Sequence, residues 1–274
     1  MIPTTLLPDT ELVTTRLGFG TSRLHYVDRT TAQRLFATAA DCGVRHFDTA
    51  PSYGDGLAER ALGEFMKGRR NRFIVATKVG IPPDTLITSL PALARPLRAG
   101  KAIARRAGLW HPSLPKFDPT GLRQSVEASL KRLDTDRIDI LFLHQPRSDR
   151  FSSLEEVLAE IRKLQHRGLV RQWGLAGDYS GIRDLLPRIA DAPAIIQTGE
   201  SEWPGTHPPH VTYGALSRQQ QSYFAPPTAT DTAKKRLQVA LARRPRGVVL
   251  VSTTKPENLV QLAEVAEEAE CFAD

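Results

Sequence analysis

Short apolar runs alternate with longer amphipathic stretches along almost the whole chain. Runs of strand length fall at 17–20, 44–48, 73–78, 138–143, 170–175, 194–197, 211–213 and 248–251. They are rich in Val, Ile, Leu and Phe and bounded by Gly, Pro, Asp or Thr, the pattern of strands buried on both faces. Between them, apolar residues recur at helical spacing over 31–42, 57–66, 119–133, 153–167, 181–189, 230–243 and 255–269. Asp118 or Thr120 can cap the third of these helices, and Glu155 with Glu156 lies early in the fourth, where the helix dipole favours acids. Strands that alternate with helices predict a parallel sheet, and eight such units predict a closed (β/α)8 TIM barrel. One domain over 1–274 is the expectation, because no linker interrupts the alternation. The longest departure is a connection at about 80–118, longer than an ordinary strand-to-helix loop.

In such a barrel, functional side chains collect just beyond the C-terminal ends of the strands. The run VRHFDTA ends on Asp48 and leads into the loop PSYGDG, which carries Tyr53. Lys78 ends FIVATK, His144 follows ILFL, and Gln197 ends AIIQ. A single polar strand end is ordinary, but four of them with complementary chemistry point to a site. A phenol has a pKa of about 10, so donating its proton near neutrality needs help. A lysine ammonium at Lys78 would supply that help, Asp48 would keep the lysine charged, and His144 could direct a substrate oxygen. The set suits interconversion of a carbonyl and an alcohol, with Tyr53 giving or taking the proton. None of these side chains can carry a hydride, so a nicotinamide cofactor is required.

Composition changes this picture little. Of the 274 residues, 41% are hydrophobic and 24% charged, ordinary values for a chain with a sizeable core. The two cysteines, Cys42 and Cys271, are far apart and suggest neither a disulfide framework nor a zinc site. The start MIPTTLLPDTELVTTR shows no secretory leader pattern, and no run reaches membrane-spanning length, so a cytoplasmic location is the expectation. The net charge of +7 is partly local, since no acid occurs between Asp84 and Asp118 while Arg95, Arg98, Lys101, Arg105, Arg106 and Lys116 do. Aromatic residues are not interleaved with these cations in the manner of a nucleic-acid surface, so no nucleic-acid partner is expected. His207 and His210 in HPPH lack carboxylate or cysteine companions, and no metal is expected. GDGLAE at 54–59 begins like a dinucleotide fingerprint but lacks the third glycine.

The segments LGFGTSRL, HFDTAPSYGDGLAERALGEF, FIVATK, DRIDILFLH, GLVRQWG, AIIQ, VTYGAL and VVLVSTTKPENL, in this order, resemble the aldo-keto reductases. In tone they are nearest the bacterial aldose and galactose dehydrogenase branch. The resemblance implies a TIM barrel with a catalytic tetrad at Asp48, Tyr53, Lys78 and His144. It also implies a cofactor site, with Gly20 and Thr21 beside Asp48, Gln197 on the nicotinamide amide and Tyr213 stacked on the nicotinamide ring. Leu216 and Ser217 match the pyrophosphate loop, and Ser252, Thr253, Thr254, Lys255 and Asn258 match the segment around the adenosine ribose and its 2′-phosphate. NADPH is the expected cofactor, with NADH as the alternative.

Two departures from the family pattern stand out. Where many members grip the carboxamide with Ser-Asn, this chain has Ala176 and Gly177 before Asp178. Carboxamide binding is then expected to rest on Gln197 and on backbone groups. Ser252 and Asn258 stand at the usual lysine and arginine positions of the phosphate segment, with Lys255 as compensation. The competing functional readings are a non-catalytic NADP-binding sensor of the same fold and a binder of acidic surfaces through the basic connection.

Overall fold

The computed structural model describes residues 1–84, 96–97, 100–101, 103–104, 107, 114–189, 194–203, 208–217 and 233–269. Arg95, Arg98, Arg105, Arg106, His207 and Cys271 lie outside the described residues, as does the start of the helix expected from 230.

A hairpin opens the chain, β1 (Thr4–Leu6) pairing antiparallel with β2 (Val13–Thr15). Eight parallel strands follow: β3 (Leu17–Gly20), β4 (His46–Asp48), β5 (Ile74–Val79), β6 (Ile138–His144), β7 (Val170–Ala176), β8 (Ile195–Gly199), β9 (Val211–Tyr213) and β10 (Val248–Val251). They close in sequence order, with β10 pairing β3. The expected barrel is therefore present, and each expected strand appears within two residues of its expected ends. Around it run α1 (Arg29–Asp41), α2 (Leu57–Met66), α3 (Pro119–Leu133), α4 (Leu154–His166), α5 (Tyr179–Leu185), α6 (Ala233–Ala242) and α7 (Pro256–Glu268).

Local chemistry sets the helix starts. Asp28 caps α1 by accepting the Thr31 N–H at 2.7 Å, and Asp118 caps α3 through Gly121 N–H at 2.8 Å with Pro119 in the first turn. Ser153 caps α4, accepting the Glu156 N–H at 3.3 Å. The expected helix at 181–189 is displaced towards its N-terminus and divides, α5 giving way to a short 3-10 turn at Leu186–Arg188 because Pro187 has no N–H to continue the α-helical ladder.

The period of two along each strand sorts the core. Ile74, Ala76, Ile140, Phe142, Ile195, Val211, Val248 and Leu250 form one apolar cluster inside the barrel. Their neighbours Val75, Leu141, Leu143, Val249 and Val251 point outwards into the two clusters beneath the helices. The hairpin closes the floor, since Leu7 and Leu12 at its tip are fully buried and join the interior cluster. Continuing the same alternation one step up, each strand presents its last inward residue at the opposite mouth.

Candidate active site

The inward residues nearest that mouth include Gly20, Asp48, Lys78, His144, Ala176, Gln197 and Tyr213, with Ser252 just past β10. Strand pairing brings Gly20 beside Asp48, His144 beside Ala176, and Ala176 beside Gln197. The barrel thus brings Asp48 and Gln197, 149 positions apart in the chain, into direct hydrogen bonding.

Asp48 is the centre of the site. One carboxylate oxygen accepts from Lys78 Nζ at 2.6 Å and the other from Gln197 Nε2 at 2.8 Å. Lys78 also donates to Thr49 O at 3.0 Å, and its side chain is only 3% exposed. Burial alone would pull the lysine down, yet Asp48, the hydrogen bond to it and Tyr53 outweigh that and hold it above the ordinary ammonium value. Lys78 Nζ stands 5.0 Å from the centre of the Tyr53 ring. The Tyr53 ring meets His144 edge to face, with centroids 6.1 Å apart.

The sequence reading emphasises the lysine's downward pull on the phenol. In the structure burial is the larger influence and leaves Tyr53 above its ordinary value, with Lys78 and a hydrogen bond from it pulling the other way. Tyr53 is therefore a phenol that keeps its proton at neutral pH. Burial, with the nearby Lys78 charge adding to it, pushes His144 down to about 3, so its ring is neutral. His144 Nδ1 is buried and has no hydrogen-bond partner among the described residues.

These groups line a cleft of about 270 Å³ together with Gly20, Ser22, Gln145, Gly177 and Leu250. Ser252 also lines the cleft and borders a second cavity of about 380 Å³, whose wall includes Leu216, Thr253, Thr254, Lys255 and Asn258 together with Arg23 and Lys234. Thr21 and Ser217 line neither space. Thr21 instead donates its backbone N–H to Asp48 O at 2.9 Å, and Ser217 closes a turn onto Gly214 O at 2.8 Å. Thr253 Oγ1 accepts from Lys255 N–H at 3.1 Å and from Asn258 at 3.4 Å, pinning the start of α7 at the cavity wall.

The sequence reading did not single out Gln145, Arg23 or Lys234. In sequence the two cations cannot be told from solvated surface charge, and Gln145 follows a more conspicuous histidine. His210 is a structural residue, its Nδ1 accepting the Ile196 N–H at 3.0 Å. Among the described residues no three metal-ligating side chains cluster, and no helix is long and apolar enough to cross a membrane.

The aldo/keto reductase family model matches residues 16–186, and the chain belongs to that family. It is 31% identical over 195 residues to D-threo-aldose 1-dehydrogenase of Pseudomonas sp, covering 67% of this chain and 56% of that protein. It is 30% identical over 182 residues to L-galactose dehydrogenase of Arabidopsis thaliana, covering 62% of this chain and 47% of the relative. The chain thus spans about half the length of the relatives it matches. Among solved structures, the holo form of an aldo-keto reductase from Bacillus halodurans superposes with a TM-score of 0.74 at 22% identity, over 97% of this chain and 91% of that one. An aldo-keto reductase from Klebsiella pneumoniae in complex with NADPH superposes with a TM-score of 0.67 at 20% identity, over 97% and 90% of the two chains.

Proposed function

We propose that this protein is an NADPH-dependent oxidoreductase that interconverts a small polar aldehyde, ketone or sugar with the corresponding alcohol. The observation that carries the reading is the convergence of Asp48, Lys78 and His144, from three different strands, with Tyr53 on one cleft.

The chain's residues fit the cofactor. Ser252 borders both the cleft and the second cavity, so the two spaces adjoin at that residue. Tyr213 offers an aromatic face at one end. At the other, Arg23, Lys234 and Lys255 line a cavity with no acid among its described wall residues, beside the N-terminus of α7. Three cations and a helix N-terminus favour an anionic group, the 2′-phosphate that distinguishes NADPH from NADH. A bound nicotinamide would supply the hydride that no side chain here can.

The protein's own part is proton management and orientation. Neutral His144 directs the substrate oxygen by donating its ring N–H, which holds the carbonyl at the Tyr53 hydroxyl. Tyr53 gives its proton to that oxygen as negative charge develops there, and the Lys78 ammonium stabilises the phenolate left behind. Asp48 keeps Lys78 charged and in place. In the opposite direction the same groups take the proton from an alcohol. The relatives named for an aldose, L-galactose or methylglyoxal are consistent with a small polar substrate.

A side-by-side titration of NADPH and NADH, followed by quenching of tryptophan fluorescence, tests the cofactor reading. Saturable binding with NADPH the tighter ligand is expected, and Lys255→Ala should narrow the preference by about tenfold, the weight of one charge-assisted contact. Absence of binding by either nucleotide contradicts the reading.

A further inference from the structure

Two side-chain amides line the cleft that Tyr213 borders, and hydrogen bonding fixes which way round each stands. Gln197 Nε2 is committed to the Asp48 carboxylate at 2.8 Å, and a carboxylate can only accept. Its remaining group is therefore Oε1, an acceptor. Gln145 is oriented in the opposite sense. Its Oε1 accepts the Asp178 N–H at 3.3 Å, which leaves Nε2 as a donor with no partner among the described residues.

The backbone is shaped to hold Gln145 there. Its φ of +53° lies in the left-handed region, a conformation that is strained for a non-glycine residue and persists only where its surroundings enforce it. The Gln145 N–H donates to Ala176 O at 2.6 Å, holding the residue against β7. Gly177 makes room for its side chain, since a Cβ at that position would stand 2.9 Å from both Gln145 Cα and Gln145 Oε1. Gln145 thus occupies the space that a side chain at 177 would fill.

An acceptor and a donor, each fixed by a second bond and set in a cleft bordered by an aromatic ring, complement a planar primary carboxamide. Such a group donates through its NH2 and accepts through its carbonyl. We infer that Gln145 is a cofactor-binding residue whose Nε2 donates to the carbonyl oxygen of the nicotinamide carboxamide, while Gln197 Oε1 accepts from its NH2. The inference rests on the nicotinamide reading above. It replaces the expectation that backbone groups alone assist Gln197, because the amide contact absent at Ala176 and Gly177 is supplied from the neighbouring strand.

The test compares NADPH with 2′-phospho-ADP-ribose, which keeps the adenosine and phosphate groups and lacks the nicotinamide. Gln145→Glu retains the acceptor for Asp178 and removes the donor; Gln145→Met removes both. Thermal melts establish that each variant is folded. Both variants should raise the Kd for NADPH roughly three- to tenfold, the weight of one hydrogen bond, and leave that for 2′-phospho-ADP-ribose within about twofold. An equal loss for both ligands, or no loss for NADPH, overturns the assignment of Gln145. Failure of the unsubstituted protein to bind NADPH at all overturns the cofactor reading itself, and the assignment with it.

Discussion

His46 shows at single-residue scale how burial and charge compete around this site. It is fully buried near the barrel floor, its Nδ1 3.5 Å from Thr14 Oγ1, and burial pushes it down to about 4 from an ordinary 6.5 against the upward pull of Asp48 and Asp139. The unfolded chain therefore takes up a proton on this ring before the folded one does. Stability owed to His46 is complete above about pH 6.5 and is lost as pH falls towards 4, by up to about 3 kcal/mol. Urea unfolding at several pH values between 7 and 5 should show a shallower loss in His46→Gln than in the unsubstituted protein. Asp48→Asn has a different consequence. It leaves the buried Lys78 ammonium without its counter-charge, and a loss of about 3 kcal/mol in urea-measured stability is expected, together with loss of turnover.

Which residues were legible from sequence follows from where they sit. Asp48, Lys78, His144 and Gln197 each end or follow an apolar run, and the period of two then forces them inward at one mouth. Arg23 and Lys234 lie on a loop and a helix, where a cation at a cavity wall and one in open solvent have the same sequence environment. The direction of the Tyr53 shift was hidden for a related reason. The nearby ammonium can be guessed from spacing, but the extent of burial depends on the whole barrel.

Elements transmit the same logic to packing. Glu59 of α2 is fully buried, accepting from Thr77 Oγ1 of β5 at 2.6 Å and from Arg132 Nε of α3 at 2.5 Å. The GLAER segment thereby clamps the Tyr53 loop's following helix to the barrel wall and to its neighbour. One turn further on, Gly63 permits the close approach of α2 and α3, for a Cβ there would stand 2.5 Å from the Leu133 carbonyl carbon and oxygen. Gly63→Ala should therefore cost about 1–3 kcal/mol in chemical denaturation, despite the better helix propensity of alanine. Unchanged stability would show that α3 shifts at no cost. The hairpin of β1 and β2 escaped the sequence reading because its strands are three residues long and half exposed, too short for a period of two to register. The helices α2 and α3, each with an apolar stripe, were legible to the residue.

At the scale of the molecule, the long connection after β5 is closed at its base. Lys116 N–H donates to Gly80 O at 3.2 Å, Phe117 N–H to Arg150 O at 2.9 Å, and the Phe117 ring stacks on Phe151 with centroids 4.7 Å apart. These contacts join the two ends of the connection. Replacing the chain between Asp84 and Leu114 by a short Gly-Ser linker should change unfolding free energy by no more than about 1 kcal/mol, since loop-closure entropy varies slowly with length. A larger loss in urea unfolding would show that the connection contributes to the core.

The central claim is that Tyr53 moves the proton in a carbonyl–alcohol interconversion that depends on NADPH. Aldehyde-dependent consumption of NADPH in Tyr53→Phe, measured beside NADPH binding by the same variant, tests it most directly. Turnover should fall by about 1000-fold or more, within reach of what a positioned acid contributes, while the Kd for NADPH stays within a few-fold of its original value. Turnover retained in Tyr53→Phe would contradict the account.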